Sequence, residues 1–239
     1  DRDAFIDAKL AEQHYIPPYF ERMERCNMLG ADAAPPAPLP CSPAMLLDPG
    51  EHVCLDVRGI FDFAGGHRTG SLCIPHDMIA AFAGWLLPVD SPIFARDETQ
   101  ALNAATTLQR IGFDQIHGYV TGVMPLAVKN GPLTALDFSD TETIGSRLDN
   151  PPNGWTLLDV RAKEEYENGH IKGSRHAYVG ELPGVVDDID LDKPVTVMCG
   201  SGARATIAAS ALRRQGFTDV DVYIGSIQAW NALGKPVAA

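Results

Sequence analysis

Positive charge is what this sequence is shortest of. Lys and Arg number 19 against 31 Asp and Glu, a formal net charge of −12 over 239 residues. So acidic a chain is a poor partner for nucleic acid or an anionic membrane, since both need basic patches. It also lacks any apolar run long enough to span a bilayer, and any signal-peptide pattern at its start. Cysteine is sparse. Cys26, Cys41, Cys54, Cys73 and Cys199 are odd in number, widely spaced, and form no C-x-x-C pair. That argues against a disulfide framework and a zinc knuckle, and makes a reducing cytoplasm the simplest compartment. Met is absent from the first position. Asp1 there fits a fragment, a processed product or a chain lacking its upstream part.

What is present is ordinary for a globular protein: 45% hydrophobic and 21% charged residues, in a length that suits two domains. Residues 1–29 predict two short helices split by Pro17-Pro18, too little to form a core alone. Residues 30–40, rich in Ala and Pro, read as a semi-rigid linker. Ser42-Pro43 reads as the N-cap and first residue of a short helix.

An internal repeat organises the rest. Val53-Cys54-Leu55-Asp56-Val57-Arg58 matches Thr156-Leu157-Leu158-Asp159-Val160-Arg161, at an offset of 159 − 56 = 103. Phe63, Gly66-His67 and Gly70-Ser71 match Tyr166, Gly169-His170 and Gly173-Ser174 at the same offset. The boundaries expected are an arm at 1–41 and two copies at 42–132 and 133–239. In the second copy, Ser139-x-x-Glu142 reads as a capping box. Strands are expected at 155–160, 195–198 and 220–224, with helices at 163–168, 205–215 and 226–233. Strands alternating with helices, without hairpin signals, predict an α/β fold with a parallel sheet covered on both faces. Ligand sites in such sheets lie beyond the carboxyl ends of the strands.

Cys199 stands at such an end. A thiolate is the nucleophilic form of cysteine, and a free thiol with pKa about 8.5 is mostly protonated at neutral pH. Gly200, Ser201, Gly202 and Ala203 are small enough to turn successive N–H groups toward one anion. The helix starting near Arg204 adds its positive end, and Arg204 itself is a cation that either faces a bound anion or braces the loop. Four residues separate Cys199 from Arg204, fewer than the five of cysteine phosphatases, so the loop is sized for a sulfur carried on the cysteine. Asp159 and Arg161 recur in both copies and are expected to support the loops structurally; His67 and His170 also recur, as turn or core histidines.

Asp159-Val160-Arg161, Glu165-Tyr166, Gly169-His170-Ile171, Gly173-Ser174 and the loop from Cys199 to Arg204 resemble the rhodanese (sulfurtransferase) family over about residues 134–239. Residues 42–132 resemble a second, weaker rhodanese-like domain. The resemblance implies a Cys199 persulfide, formed from thiosulfate or a low-molecular-weight persulfide and discharged to a thiol, sulfite or cyanide, with no metal or organic cofactor. The segment Tyr15-Ile-Pro-Pro-Tyr-Phe-Glu-Arg-Met23 ahead of the repeats further resembles fusions in which a metallo-β-lactamase-fold persulfide dioxygenase precedes rhodanese modules. The metal-ligand motif of that enzyme, H-x-H-x-D-H, is absent from this chain. A homodimer is also compatible with the resemblance. Between Pro92 and Gly112 the first copy is two residues shorter than the second, has no cysteine, and carries Asp97 and Glu98, which would repel an anionic donor; it is expected to be catalytically dead. The alternatives are phosphatase or arsenate-reductase chemistry on the same fold, and a non-catalytic interaction module.

Overall fold

Short runs bounded by Gly, Pro and Asp give this chain short strands, of which those at residues 55–56, 72–73, 93–95 and 195–198 are fully buried. The computed structural model describes residues 1–11, 15–30, 33, 35–48, 50, 52–87 and 93–238. Pro92, where the shorter loop was counted from, lies outside the described residues. The strands are β1 (Leu55–Asp56), β2 (His67–Arg68), β3 (Leu72–Cys73), β4 (Ile93–Ala95), β5 (Tyr119–Thr121), β6 (Leu133–Thr134), β7 (Phe138–Ser139), β8 (Thr156–Asp159), β9 (Arg175–His176), β10 (Val195–Met198) and β11 (Val220–Tyr223).

Two parallel sheets flanked by helices result. The first runs β3-β1-β4-β5 and the second β7-β11-β10-β8-β9. Reversed, the second sheet reads β9-β8-β10-β11-β7, so its first four strands repeat the order of the first sheet. Registers repeat too: Asp56 pairs with Cys73 as Asp159 pairs with His176. β2 and β6 form a separate antiparallel pair that the sequence did not signal.

Several boundaries move slightly. The helix expected at 205–215 is Ala203–Arg214, so Arg204 belongs to its first turn. The expected capping box at Ser139 is not formed. Asp140 caps the helix Thr141–Asp149, its carboxylate accepting the Thr143 N–H at 2.8 Å. Ser139 ends β7, and its hydroxyl is committed across the sheet to Asp221. Ser42 does cap its helix, a 3-10 turn at Pro43–Leu46.

One apolar core runs through both sheets, from Val53, Leu55 and Leu108 to Leu158, Val197 and Leu212. The helix Ala203–Arg214 is buried on every side from Ala205 to Leu212, the mark of a helix enclosed by protein. One wall around it is the first sheet's edge, where Ser210 Oγ accepts the Cys73 N–H at 2.9 Å. Arg214 extends the contact with a bond to the Gly70 carbonyl at 2.9 Å. The helix Phe20–Leu29 buries none of its own residues, yet the arm is tied down by Arg22, which pairs with Asp114 at 2.6 Å.

Candidate active site

β10 is the central strand of its sheet, and all four of its residues are buried. Its backbone N–H groups are consumed by the neighbouring strands until Cys199, where the chain leaves the sheet. The turn back into the helix is made at Gly202, with φ +93°. A Cβ there would lie 2.7 Å from the Ile224 carbonyl oxygen, so the position needs glycine on two counts. The turn brings the Gly202 N–H to the Cys199 sulfur, at 3.2 Å. The outward-facing carbonyls of Cys199 and Gly200 accept the N–H groups of Ile227 and Gln228, both at 3.2 Å. The start of the helix Ser226–Ala232 therefore pins the outside of the loop while the inside faces the sulfur. Cys199 is 1% exposed.

Ser226 makes the closest contact from that helix. Its Oγ accepts the Cys199 N–H at 3.0 Å and lies 3.9 Å from Cys199 Sγ.

Arg204 does not stand free. Its guanidinium forms a two-pronged ion pair with Glu165, at 2.5 and 2.8 Å. Glu165 also accepts the Ala162 N–H at 3.0 Å, at the start of the helix Lys163–Glu167. The Arg204 hydrogen bonds hold the Glu165 carboxyl below its ordinary range, and Glu165 in turn raises the Arg204 guanidinium. Gly200 lets the pair close, since a Cβ there would be 3.2 Å from Arg204 Nη2. Ser201 is exposed at the loop's outer rim, and Ala203 opens the helix. The structure thus gathers Cys199, the four loop residues and Arg204 at one point, with Arg204 engaged by Glu165.

Asp159 and Arg161 are set below this point, at the end of β8. They are buried and paired through two oxygens, the shortest contact being 2.7 Å, and Arg161 also reaches the Gly169 carbonyl at 2.9 Å. Asp56 and Arg58 form the same pair in the first sheet, with Arg58 on the Gly66 carbonyl. The recurring histidines are equivalent as well. His67 stacks on Phe63 and bonds its carbonyl, and His170 does so with Tyr166.

Sequence reasoning gave no role to Glu165, Ser226 or Tyr15. Glu165 was visible only as part of a motif, and Ser226 only as the start of a helix. Tyr15 comes from the arm. Its ring stacks on Tyr178 at 3.8 Å and its hydroxyl accepts the Lys163 N–H at 3.1 Å. Trp85 of the first unit meets Tyr178 edge-on at 5.9 Å, so three segments meet there.

The corresponding place in the first unit is built differently. Between β4 and the helix Glu98–Arg110 stand two residues, Arg96 and Asp97, where four stand between β10 and its helix. Asp97 caps the helix, its carboxylate accepting the Gln100 N–H at 2.8 Å. Glu98 accepts the Tyr119 hydroxyl at 2.8 Å, and Arg96 pairs with Asp62 at 2.7 Å. Among the described residues no group of three or more His, Cys, Asp or Glu side chains is placed to hold a metal, and no helix is long and apolar enough to cross a membrane.

Known proteins resemble parts of this chain. The Rhodanese-like domain family matches residues 142–233. The Thiosulfate sulfurtransferase GlpE of Stutzerimonas stutzeri (strain A1501) is 38% identical over 77 residues, covering 32% of this chain and 71% of that protein. The protein of the same name in Pseudomonas paraeruginosa (strain DSM 24068 / PA7) is 35% identical over 81 residues, 34% of this chain and 74% of its own. Among solved structures, Thiosulfate sulfurtransferase from Pseudomonas aeruginosa aligns with 82% of this chain and 42% of its own, at 21% identity and a TM-score of 0.40. On the likeness to the two GlpE proteins, the chain belongs to the rhodanese family of sulfurtransferases.

Proposed function

We propose that Cys199 carries a sulfane sulfur between a small anionic donor and a thiophilic acceptor. The Cys199 thiolate attacks the outer sulfur of thiosulfate or of a low-molecular-weight persulfide. The donor's S–S bond breaks, sulfite or a thiolate leaves with the electron pair, and Cys199-S-S⁻ forms. A thiolate, sulfite or cyanide then attacks the outer sulfur, and Cys199 leaves as its thiolate. Charge balances in each step. The terminal sulfur of the intermediate is held by the N–H groups of residues 200–204 at the positive end of the helix Ala203–Arg214. The observation that carries this reading is the Gly202 N–H directed at Cys199 Sγ at 3.2 Å, in a loop with its carbonyls turned outward. Asp159 and Arg161 support the loop from beneath, and Arg204 braces it through Glu165.

The shared strand order supports reading 42–132 as a second, degenerate rhodanese-like unit, 133–239 as the active one and 1–41 as an arm. We further assign the arm to the end of an upstream persulfide dioxygenase domain, on resemblance alone; the gene sequence upstream of Asp1 tests it. Homodimer formation is a further proposal, read out by light scattering. Five unpaired cysteines support a reducing, cytoplasmic setting.

The test of the activity is mass spectrometry after incubation with thiosulfate. One added sulfur is expected on the Cys199 peptide. No gain there, with the protein folded, refutes the sulfurtransferase reading. Phosphatase turnover abolished by Cys199→Ser would replace it with the rival chemistry.

A further inference from the structure

Ser226 breaks a local rule at a place where that matters. It is fully buried, and its φ is +50°, in the left-handed region that glycine enters freely and other residues enter at a cost. Asn130 is the other non-glycine residue with positive φ among the described residues, and it is exposed. Glycine precedes Ser226, and the helix behind it makes no special demand for serine. The hydroxyl is what a glycine would lack.

That hydroxyl has three neighbours. It accepts the Cys199 N–H at 3.0 Å, donates to the Tyr223 carbonyl at 2.8 Å, and stands 3.9 Å from Cys199 Sγ. A serine carries one proton, so it serves the carbonyl or the sulfur, not both. A neutral thiol is a weak acceptor, whereas hydrogen bonds to an ionised group are roughly twice as strong as neutral ones. The preferred partner of the proton therefore depends on the state of the sulfur.

We propose that Ser226 is a positioning residue of the sulfur-transfer site. It fixes the Cys199 backbone through Oγ, and it turns its proton from the Tyr223 carbonyl to the sulfur when Cys199 is a thiolate or a persulfide. The sulfur anion then has a side-chain donor beside the Gly202 N–H. The rotation transfers no proton and breaks no covalent bond. The role rests on Cys199 being the sulfur carrier.

Titratable groups on the surrounding elements are Arg204 with Glu165 across it, the Asp159–Arg161 pair at the end of β8, Asp221 and Tyr223 on β11, His176 ending β9, and Tyr178 beyond it. The helix Ser226–Ala232 contributes none. A comparison of Ser226 variants leaves all of these in place.

The experiment measures the rate of iodoacetamide alkylation at the Cys199 peptide against pH, in the parent, Ser226→Gly and Ser226→Ala proteins. Ser226→Gly suits the positive φ and keeps the fold, so it carries the test even where Ser226→Ala does not fold. The expected result is an upward shift of the alkylation midpoint by about half a pH unit or more in the glycine variant, which still melts cooperatively although the buried Cys199 N–H has lost its acceptor. An unmoved midpoint in Ser226→Gly overturns the proposal, because the sulfur anion would then have lost no donor. Alkylation needs no sulfur donor. A missing sulfur gain on parent Cys199 would refute the transfer reading alone, while an intact gain with an unmoved profile would refute the Ser226 role alone.

Discussion

His67 should make this protein lose stability on mild acidification, by an amount the structure sets. The imidazole is 2% exposed, stacked on Phe63 at 3.7 Å, and its Nδ1–H donates to the Phe63 carbonyl at 2.8 Å. Burial, with Arg213 and Arg58 adding repulsion, lowers its pKa from 6.5 to about 4. The unfolded chain therefore binds a proton between pH 6.5 and 4 that the folded chain refuses. Stability from this group is complete above the unfolded value and is lost as pH falls toward the folded one. At about 1.4 kcal/mol per pH unit the full loss is about 3 kcal/mol, of which about 2 kcal/mol falls between pH 7 and 5. Guanidinium denaturation at those two pH values measures it, in the parent and in His67→Asn. Asparagine keeps a donor for the Phe63 carbonyl and does not titrate. The variant starts less stable, having lost the stacked ring, but its stability should fall less between pH 7 and 5, by about 2 kcal/mol. Equal falls in the two proteins would refute the reasoning, because the other six histidines are common to both.

Two predictions concern the loops. Gly202→Ala should reduce sulfur loading of Cys199 by about tenfold or more, since the new Cβ meets the Ile224 carbonyl oxygen at 2.7 Å and backbone cannot yield as a side chain can. Gly200→Ala meets only the far end of the Arg204 side chain, at 3.2 Å, which has to give by a few tenths of an ångström, and should stay within a few-fold of the parent; equal losses in both would refute the steric account. Asp97→Cys in a Cys199→Ser background should show no sulfur transfer above the Cys199→Ser protein in a thiosulfate–cyanide assay, because the two-residue connection of the first unit leaves no nest around the new thiol; measurable turnover would sink that argument.

What could be read from the sequence was what depends on neighbours in the chain. The bounds of β10 follow from a four-residue apolar run between Pro194 and Cys199. The need for small residues in the loop and the shorter connection in the first copy are counts along the chain. Both sheets' parallel pairing follows from alternating strands and helices. What stayed hidden depends on partners far apart. Glu165 reaches Arg204 across 39 residues, Ser226 reaches Cys199 across 27, and Tyr15 reaches Lys163 across 148. Ser139 illustrates the same limit. Its spacing to Glu142 fits a capping box, but Asp221 takes its hydroxyl, and Asp140 caps the helix one residue later.

The two units also place different groups at the end of an inner strand of the same sheet order. A helix N-terminus at the end of a central strand favours an anion there in both sheets. In the second unit two extra residues open that place to the Cys199 sulfur, which the Gly202 N–H meets at 3.2 Å. In the first unit the Asp97 carboxylate occupies it, accepting the Gln100 N–H at 2.8 Å. Packing is what the first unit supplies to the second. Its edge strand β3 binds Ser210 on the helix that begins beneath Cys199, and a helix with eight consecutive buried residues cannot keep that geometry with one wall in water. The first unit is therefore part of what holds the Cys199 loop in shape.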